Sequence, residues 1–79
     1  MSRAPWLFVT VDEAHGLALV RGEEAGRVAL LVSPDTPRWS RRGRGWVIAA
    51  SRVADVLAYA QTRHEFVVIS HRDRRGDAA

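Results

Sequence analysis

Apolar residues fall in short blocks along this chain, separated by polar or glycine-bearing punctuation. Trp6-Leu7-Phe8-Val9-Thr10-Val11 is aromatic and β-branched and predicts a strand. Asp12-Glu13-Ala14-His15-Gly16 follows as a turn, with Gly16 free to take positive φ. Leu17 to Arg21 predicts a second strand, and Gly22-Glu23-Glu24-Ala25-Gly26 a second turn. Arg27 to Ser33, apolar throughout from Val28 to Val32, predicts a third. The two short connections imply antiparallel pairing of these strands in chain order. Pro34 and Pro37 have no amide donor and end the run. Trp46 to Ala50 predicts a fourth strand.

The period then changes. Val53, Val56, Leu57 and Ala60 recur at helical spacing and predict a helix over 52–63, with Ser51 as its N-cap. Arg52 and Asp55 are spaced to pair, and Arg63 suits the negative end of the helix dipole. Phe66 to Ser70 predicts a fifth strand. The expected fold is a single α+β domain over 1–70, in the order β-β-β-β-α-β. Its sheet is five-stranded and mostly antiparallel, or a partly curled barrel, with one helix. The strands flanking the helix form either a β-α-β crossover or separate edges. Residues 71–79 are expected to be a disordered basic tail.

One helix covers only one face of a sheet, yet the first strand is apolar on both: Trp6 and Phe8 on one side, Leu7, Val9 and Val11 on the other. Each large side chain left in water forgoes about 1.5–3 kcal/mol. Either the sheet curls closed or the uncovered face meets a second copy or another protein. At 79 residues the chain is short enough for help of that kind to matter. With no cysteine there is no disulfide and no thiolate metal site. The longest apolar run near the start, Trp6 to Val9, is too short for a signal core or a membrane span, so a cytoplasmic location is expected.

Charge changes the picture more than composition does. All twelve cations are Arg, and Lys and Asn are absent. Together with many Ala, Gly and Val residues, this fits the codon usage of a high-GC bacterium or phage. The number of arginines therefore says little, but their placement is informative. Residues 1–35 carry three Arg against five acids, a net of −2, whereas residues 36–79 carry nine against four, a net of +5. The positive half begins at Pro37-Arg38-Trp39-Ser40-Arg41-Arg42-Gly43-Arg44-Gly45-Trp46, which contains no acid. Guanidinium forks grip phosphate and indole faces stack on bases, so Arg38, Trp39, Arg41, Arg42, Arg44 and Trp46 are the candidate contact residues. Arg42-Gly43-Arg44 resembles the core of an AT-hook, the short Arg-Gly-Arg element that lies in the minor groove of DNA. Gly45 stands where the hook usually carries proline. The resemblance implies insertion of Arg42 and Arg44 with close backbone approach at Gly43. Arg72, Arg74 and Arg75 form a second basic cluster for secondary contacts.

Catalytic patterns are missing. His15, His64 and His71 do not make a zinc ligand set, and Arg flanks oppose a cation. Asp35 and Glu65 fall on separate elements and there is no Lys, which argues against a metal-dependent nuclease. Ser33, Ser40, Ser51 and Ser70 have no base paired in sequence, and no glycine-rich phosphate loop opens a helix. The expectation is a non-enzyme with no cofactor, no metal and no evident small-molecule substrate. The first functional reading is a small nucleic-acid-binding module acting through the loop at 37–46. The alternative is a protein-interaction regulator of the phage or mobile-element type, docking a host protein through its apolar sheet face. The partner is then nucleic acid or an acidic protein surface. The acidic turns Asp12-Glu13 and Glu23-Glu24 offer complementary charge for the basic loop of a second copy in a homodimer.

Overall fold

The computed structural model describes residues 4–72. Its elements are β1 (Leu7–Asp12), β2 (Leu17–Arg21), α1 (Ala25–Val32), β3 (Arg38–Ser40), β4 (Gly45–Ala49), α2 (Val53–Thr62) and β5 (Val67–His71), with a 3₁₀ turn at Ala50–Arg52 before α2. The fold is α+β, built on a five-stranded mixed sheet in the order β3-β4-β2-β1-β5. Three of the four pairings are antiparallel, and β1 pairs with β5 in parallel. The sheet stays open, so the barrel alternative does not form.

Leu7, Val9 and Val11 of β1, Ala18 and Val20 of β2 and Ile48 of β4 are buried on one face. Ala25, Val28 and Ala29 of α1 and Val56 of α2 complete the same core. Both helices therefore cover one face, and no helix covers the other. That arrangement follows from the connections. Strands β2 and β3 both run antiparallel to β4, so α1 crosses between parallel strands with β4 lying between them. Strands β4 and β5 also run parallel, and α2 carries the chain across β2 and β1 to reach the far edge. The β4–α2–β5 unit thus spans two intervening strands.

The two largest departures from the sequence reading concern the predicted third strand and the basic loop. The apolar run after Gly26 is helix α1, not a third strand, so there are two helices. Ala25, Val28, Ala29 and Val32 recur at i, i+3, i+4 and i+7; the first three are buried, while Leu30 and Leu31 remain 63% and 58% exposed. The edge of β2 that the third strand was expected to take is occupied by β4, which aligns Trp46 with Val20 and Ala49 with Leu17. Gly26, read as the end of a turn, sits inside α1 against the Trp46 indole; a Cβ there would stand 2.9 Å from Trp46 Nε1. The second departure is β3 itself. Arg38–Ser40 pairs with Gly45–Val47, so the supposed loop is a hairpin at the sheet edge.

Ser51 does not cap α2. It lies in the 3₁₀ turn, and the N-cap position is Arg52, which makes no side-chain capping bond. Helix α2 buries Val56 and Ala60, leaves Leu57 exposed and turns Tyr59 inward to Trp6, with ring centroids 5.9 Å apart. The expected Arg52–Asp55 pair forms at 3.4 Å. The helix ends with His64 at φ 58, where the His64 amide donates to the Gln61 carbonyl and the Glu65 amide to the Ala60 carbonyl. Ordered pairing continues past Ser70: β5 runs to His71, and the Arg72 amide donates to the Val11 carbonyl at 2.7 Å. The expected disordered tail beyond Arg72, with Arg74 and Arg75, lies outside the described residues.

Candidate nucleic-acid interface

The hairpin owes its shape to three small residues. Arg41 to Arg44 form the turn between paired Ser40 and Gly45. Ser40 Oγ accepts the Gly43 amide at 3.0 Å, which holds the turn closed. A Cβ at Gly43 would lie 2.6 Å from Leu19 Cδ2, and one at Gly45 would lie 2.6 Å from the Val20 carbonyl oxygen. At position 45, where the obstructing atom is backbone, only glycine lets the hairpin press this closely against β2. Arg44 closes the turn in the left-handed region at φ 55. Arg42-Gly43-Arg44 is accordingly a tight turn, so the likeness to an AT-hook stops at residue types and does not extend to an extended groove-lying strip.

The arginines divide into two sets. Arg27 pairs with Glu24, Arg52 with Asp55 and Arg72 with Asp12, all within 4.0 Å. The Arg21 guanidinium lies over the Phe8 ring at 5.8 Å, and that of Arg63 over Trp6 at 5.5 Å and Tyr59 at 5.9 Å. Each of these five is engaged by the fold. Arg38, Arg41, Arg42 and Arg44 are exposed and have no such partner among the described residues. Four guanidiniums thus gather on one edge hairpin, with no ion-pair partner among the described residues to offset them.

The two tryptophans stand on the other side of the strands from Arg38. Trp39 pairs with Trp46 in register and meets it edge-on, with centroids 5.3 Å apart and planes at 68°. Trp46 is half-buried beneath Gly26 of α1, while Trp39 is 52% exposed at the rim of the helical layer. Strand alternation separates them from Arg38, which is in register with Val47 on the helix-free face. Phe8, 40% exposed, lies on that face, and sequence reasoning did not single it out as a contact residue. Its signal was the alternation of Leu7, Val9 and Val11 with Phe8, Thr10 and Asp12.

The helix-free face is ordered in rows. Ser70, Thr10, Leu19, Val47 and Arg38 align across five strands, and Val68, Phe8 and Arg21 align beside them. Arg42 and Gly43 of the hairpin, Leu17, Leu19 and Val47 beneath them, and Arg72 opposite bound a groove of about 220 Å³. Among the described residues, the one carboxylate lining it is Asp12. Partial burial works to raise the Asp12 pKa. The His15 Nδ1 contact at 2.9 Å, the His15 amide and the Arg72 charge outweigh that effect and hold the carboxyl below its ordinary value. His71 approaches Glu13 at 3.9 Å and Arg72 approaches Asp12 at 4.0 Å, so side-chain contacts tie the end of β5 to the β1–β2 turn.

Among the described residues no three His, Asp or Glu side chains converge as metal ligands, and no helix is long and apolar enough to cross a membrane. The chain matches no protein-family model, no curated protein and no solved structure.

Proposed function

We propose that this domain binds nucleic acid, with the β3–β4 hairpin as its phosphate grip. The observation that carries the reading is the division of the arginines. Five have partners within the fold, whereas the four on the hairpin, Arg38 on its first strand and Arg41, Arg42 and Arg44 on its turn, have none among the described residues. Gathering like charges costs repulsion, which a polyanion relieves, and released counterions then supply affinity. Held by Ser40 and Gly43, the turn presents these side chains without a large ordering cost.

The test is a fluorescence-anisotropy titration of labelled oligonucleotides between about 50 and 200 mM salt. Wild-type protein is compared with a variant carrying Arg41→Ala, Arg42→Ala and Arg44→Ala. The log–log salt slope is expected to drop by about one for each phosphate left without its arginine. Absence of binding at low salt, or the same slope in both proteins, rejects the reading.

A second reading, a protein-docking regulator, draws on the exposed apolar residues of the helix-free face, Leu17, Phe8 and Val68. Pull-downs from a host lysate with and without nuclease treatment separate the two. A partner that survives nuclease favours the second reading, and loss of every partner favours the first.

A further inference from the structure

We infer that the nucleic acid is single-stranded and lies across the helix-free face of the sheet, its bases on Phe8 and in the groove beneath the hairpin. The inference rests on the nucleic-acid reading above and adds the strand state and the path. Its first support is the composition of the face. Phe8 and Val68 are each 40% exposed there and Leu17 is 43% exposed, beside half-buried Leu19 and Val47. A duplex keeps its base faces stacked inside and offers sugar and phosphate to a protein surface, which gives such residues nothing to bury. Unpaired bases offer flat apolar faces, and every base has one.

The second support is charge complementarity on the same face. Arg38 ends the row Ser70–Thr10–Leu19–Val47–Arg38, Arg21 neighbours Phe8, and Arg42 and Arg72 stand on either side of the groove. Against them is Asp12, which pairs with His15 and with Arg72, so Arg38, Arg42 and Arg21 are the charges this face has left for a polyanion. Thr10, Ser40 and Ser70 add hydroxyls suited to base edges or phosphate oxygens. Five strands set about 4.8 Å apart make a platform about 19 Å wide, enough for several nucleotides of an extended strand.

The third support is the groove. At about 220 Å³ it is smaller than the roughly 300–1,000 Å³ of ordinary small-molecule pockets, and its floor is apolar. Those dimensions suit one flat ring between Leu17, Leu19 and Val47, with Arg42 above it for the attached phosphate. The hairpin lies over this floor because Gly43 contacts Leu19. The guanidinium of Arg21 on the Phe8 ring extends the same stacking surface.

The deciding experiment compares a labelled twelve-nucleotide single strand, the matching duplex and a single strand of equal length with abasic sites. Each is titrated against wild-type protein and against Phe8→Leu, which keeps apolar bulk at a partly exposed position but removes the ring. Circular dichroism and thermal melting establish that the variant is folded. The wild type is expected to prefer the single strand to the duplex by at least about tenfold, in keeping with the roughly 5- to 150-fold that one stacked base contributes. Phe8→Leu is expected to lose about tenfold on the single strand, little on the abasic strand, and to keep its salt slope. Equal binding of duplex and single strand, or no effect of Phe8→Leu on folded protein, overturns the inference while the hairpin reading stands. Binding of none of the three at low salt overturns both. Capture of a host protein that resists nuclease and is abolished by Phe8→Leu assigns the face to a protein and also overturns it.

Discussion

Gly26→Ala sets two effects of opposite sign against each other. Ala is favoured over Gly inside a helix by about 1 kcal/mol, and Gly26 has no positive φ to preserve. On propensity alone the variant should gain stability. Packing opposes this: a Cβ at position 26 would stand 2.9 Å from Nε1, 3.2 Å from Cε2 and 3.5 Å from Cζ2 of Trp46. Carbon contacts are comfortable at about 3.5–4.0 Å, so the helix or the indole has to retreat by roughly 0.5–1 Å. The indole is braced by the core on one side and by Trp39, edge-on at 5.3 Å, on the other. Lifting α1 instead opens space under Val28 and Ala29, both fully buried. Overpacking of this kind costs about 1–3 kcal/mol, which leaves a net loss of about 0–2 kcal/mol after the propensity gain, and the bracing on both sides sets the expectation in the upper half of that range. In a domain of this size that lowers Tm by about 5–10 °C. Urea unfolding followed by tryptophan emission measures the loss, with an unchanged m-value showing that the folded and unfolded ensembles are comparable. Combining Gly26→Ala with Trp46→Phe, which removes the crowded ring, should recover about 1 kcal/mol of the summed single losses. A Gly26→Ala protein as stable as wild type, or more so, would refute the claim that α1 rests on the Trp46 indole.

Three further outcomes are expected. Arg44→Gly relieves an L-residue at φ 55 and should raise stability by about 0.5–1 kcal/mol. The same change should reduce the salt slope of nucleic-acid binding by about one, so denaturation and titration move in opposite senses; a loss of stability would contradict the left-handed turn. Val28→Ala should cost about 2 kcal/mol, whereas Leu30→Gln on the outer side of α1 should stay within about 0.5 kcal/mol; comparable losses in chemical denaturation would argue against this helix orientation. Asp12, whose folded pKa is held below its unfolded value of about 3.9, contributes stability above that value and loses it as pH falls through the folded one. Wild type should therefore lose stability more steeply below about pH 4 than Asp12→Asn, and superimposable acid limbs would remove the His15–Asp12 contact from the account.

Much of the architecture is legible in local pattern. The period-two alternation of Leu7, Val9 and Val11 marks β1, the Leu17–Arg21 strand has the predicted bounds, and Val53, Val56 and Ala60 mark α2. The α+β class and four of the five strands follow from such signals, and so does the basic segment at 37–46, although its pairing as β3 does not. The stretch Val28-Ala29-Leu30-Leu31-Val32 is different, because it is apolar at every position and fits a period of 2 as well as 3.6. A reading that set Ala25 beside Val28, Ala29 and Val32 would have found the helical stripe, since Gly26 and Arg27 are the only breaks in it.

Four arginines in one short, acid-free, glycine-jointed stretch are a property of the chain, and no fold is needed to read them. Where they point, and what stands beside them, depends on strand pairing. Pairing of Arg38–Ser40 with β4 set alternate residues on opposite faces, sending Trp39 and Trp46 toward the helices and Arg38 toward the open side. The position of β1 near the centre of the sheet then put Phe8, rather than either tryptophan, on the face the arginines border. Phe8 reaches that face through β2 and β4, whose residues are distant from the hairpin or from β1 in the chain. Strand order and register bring them together, and local pattern carries no record of either.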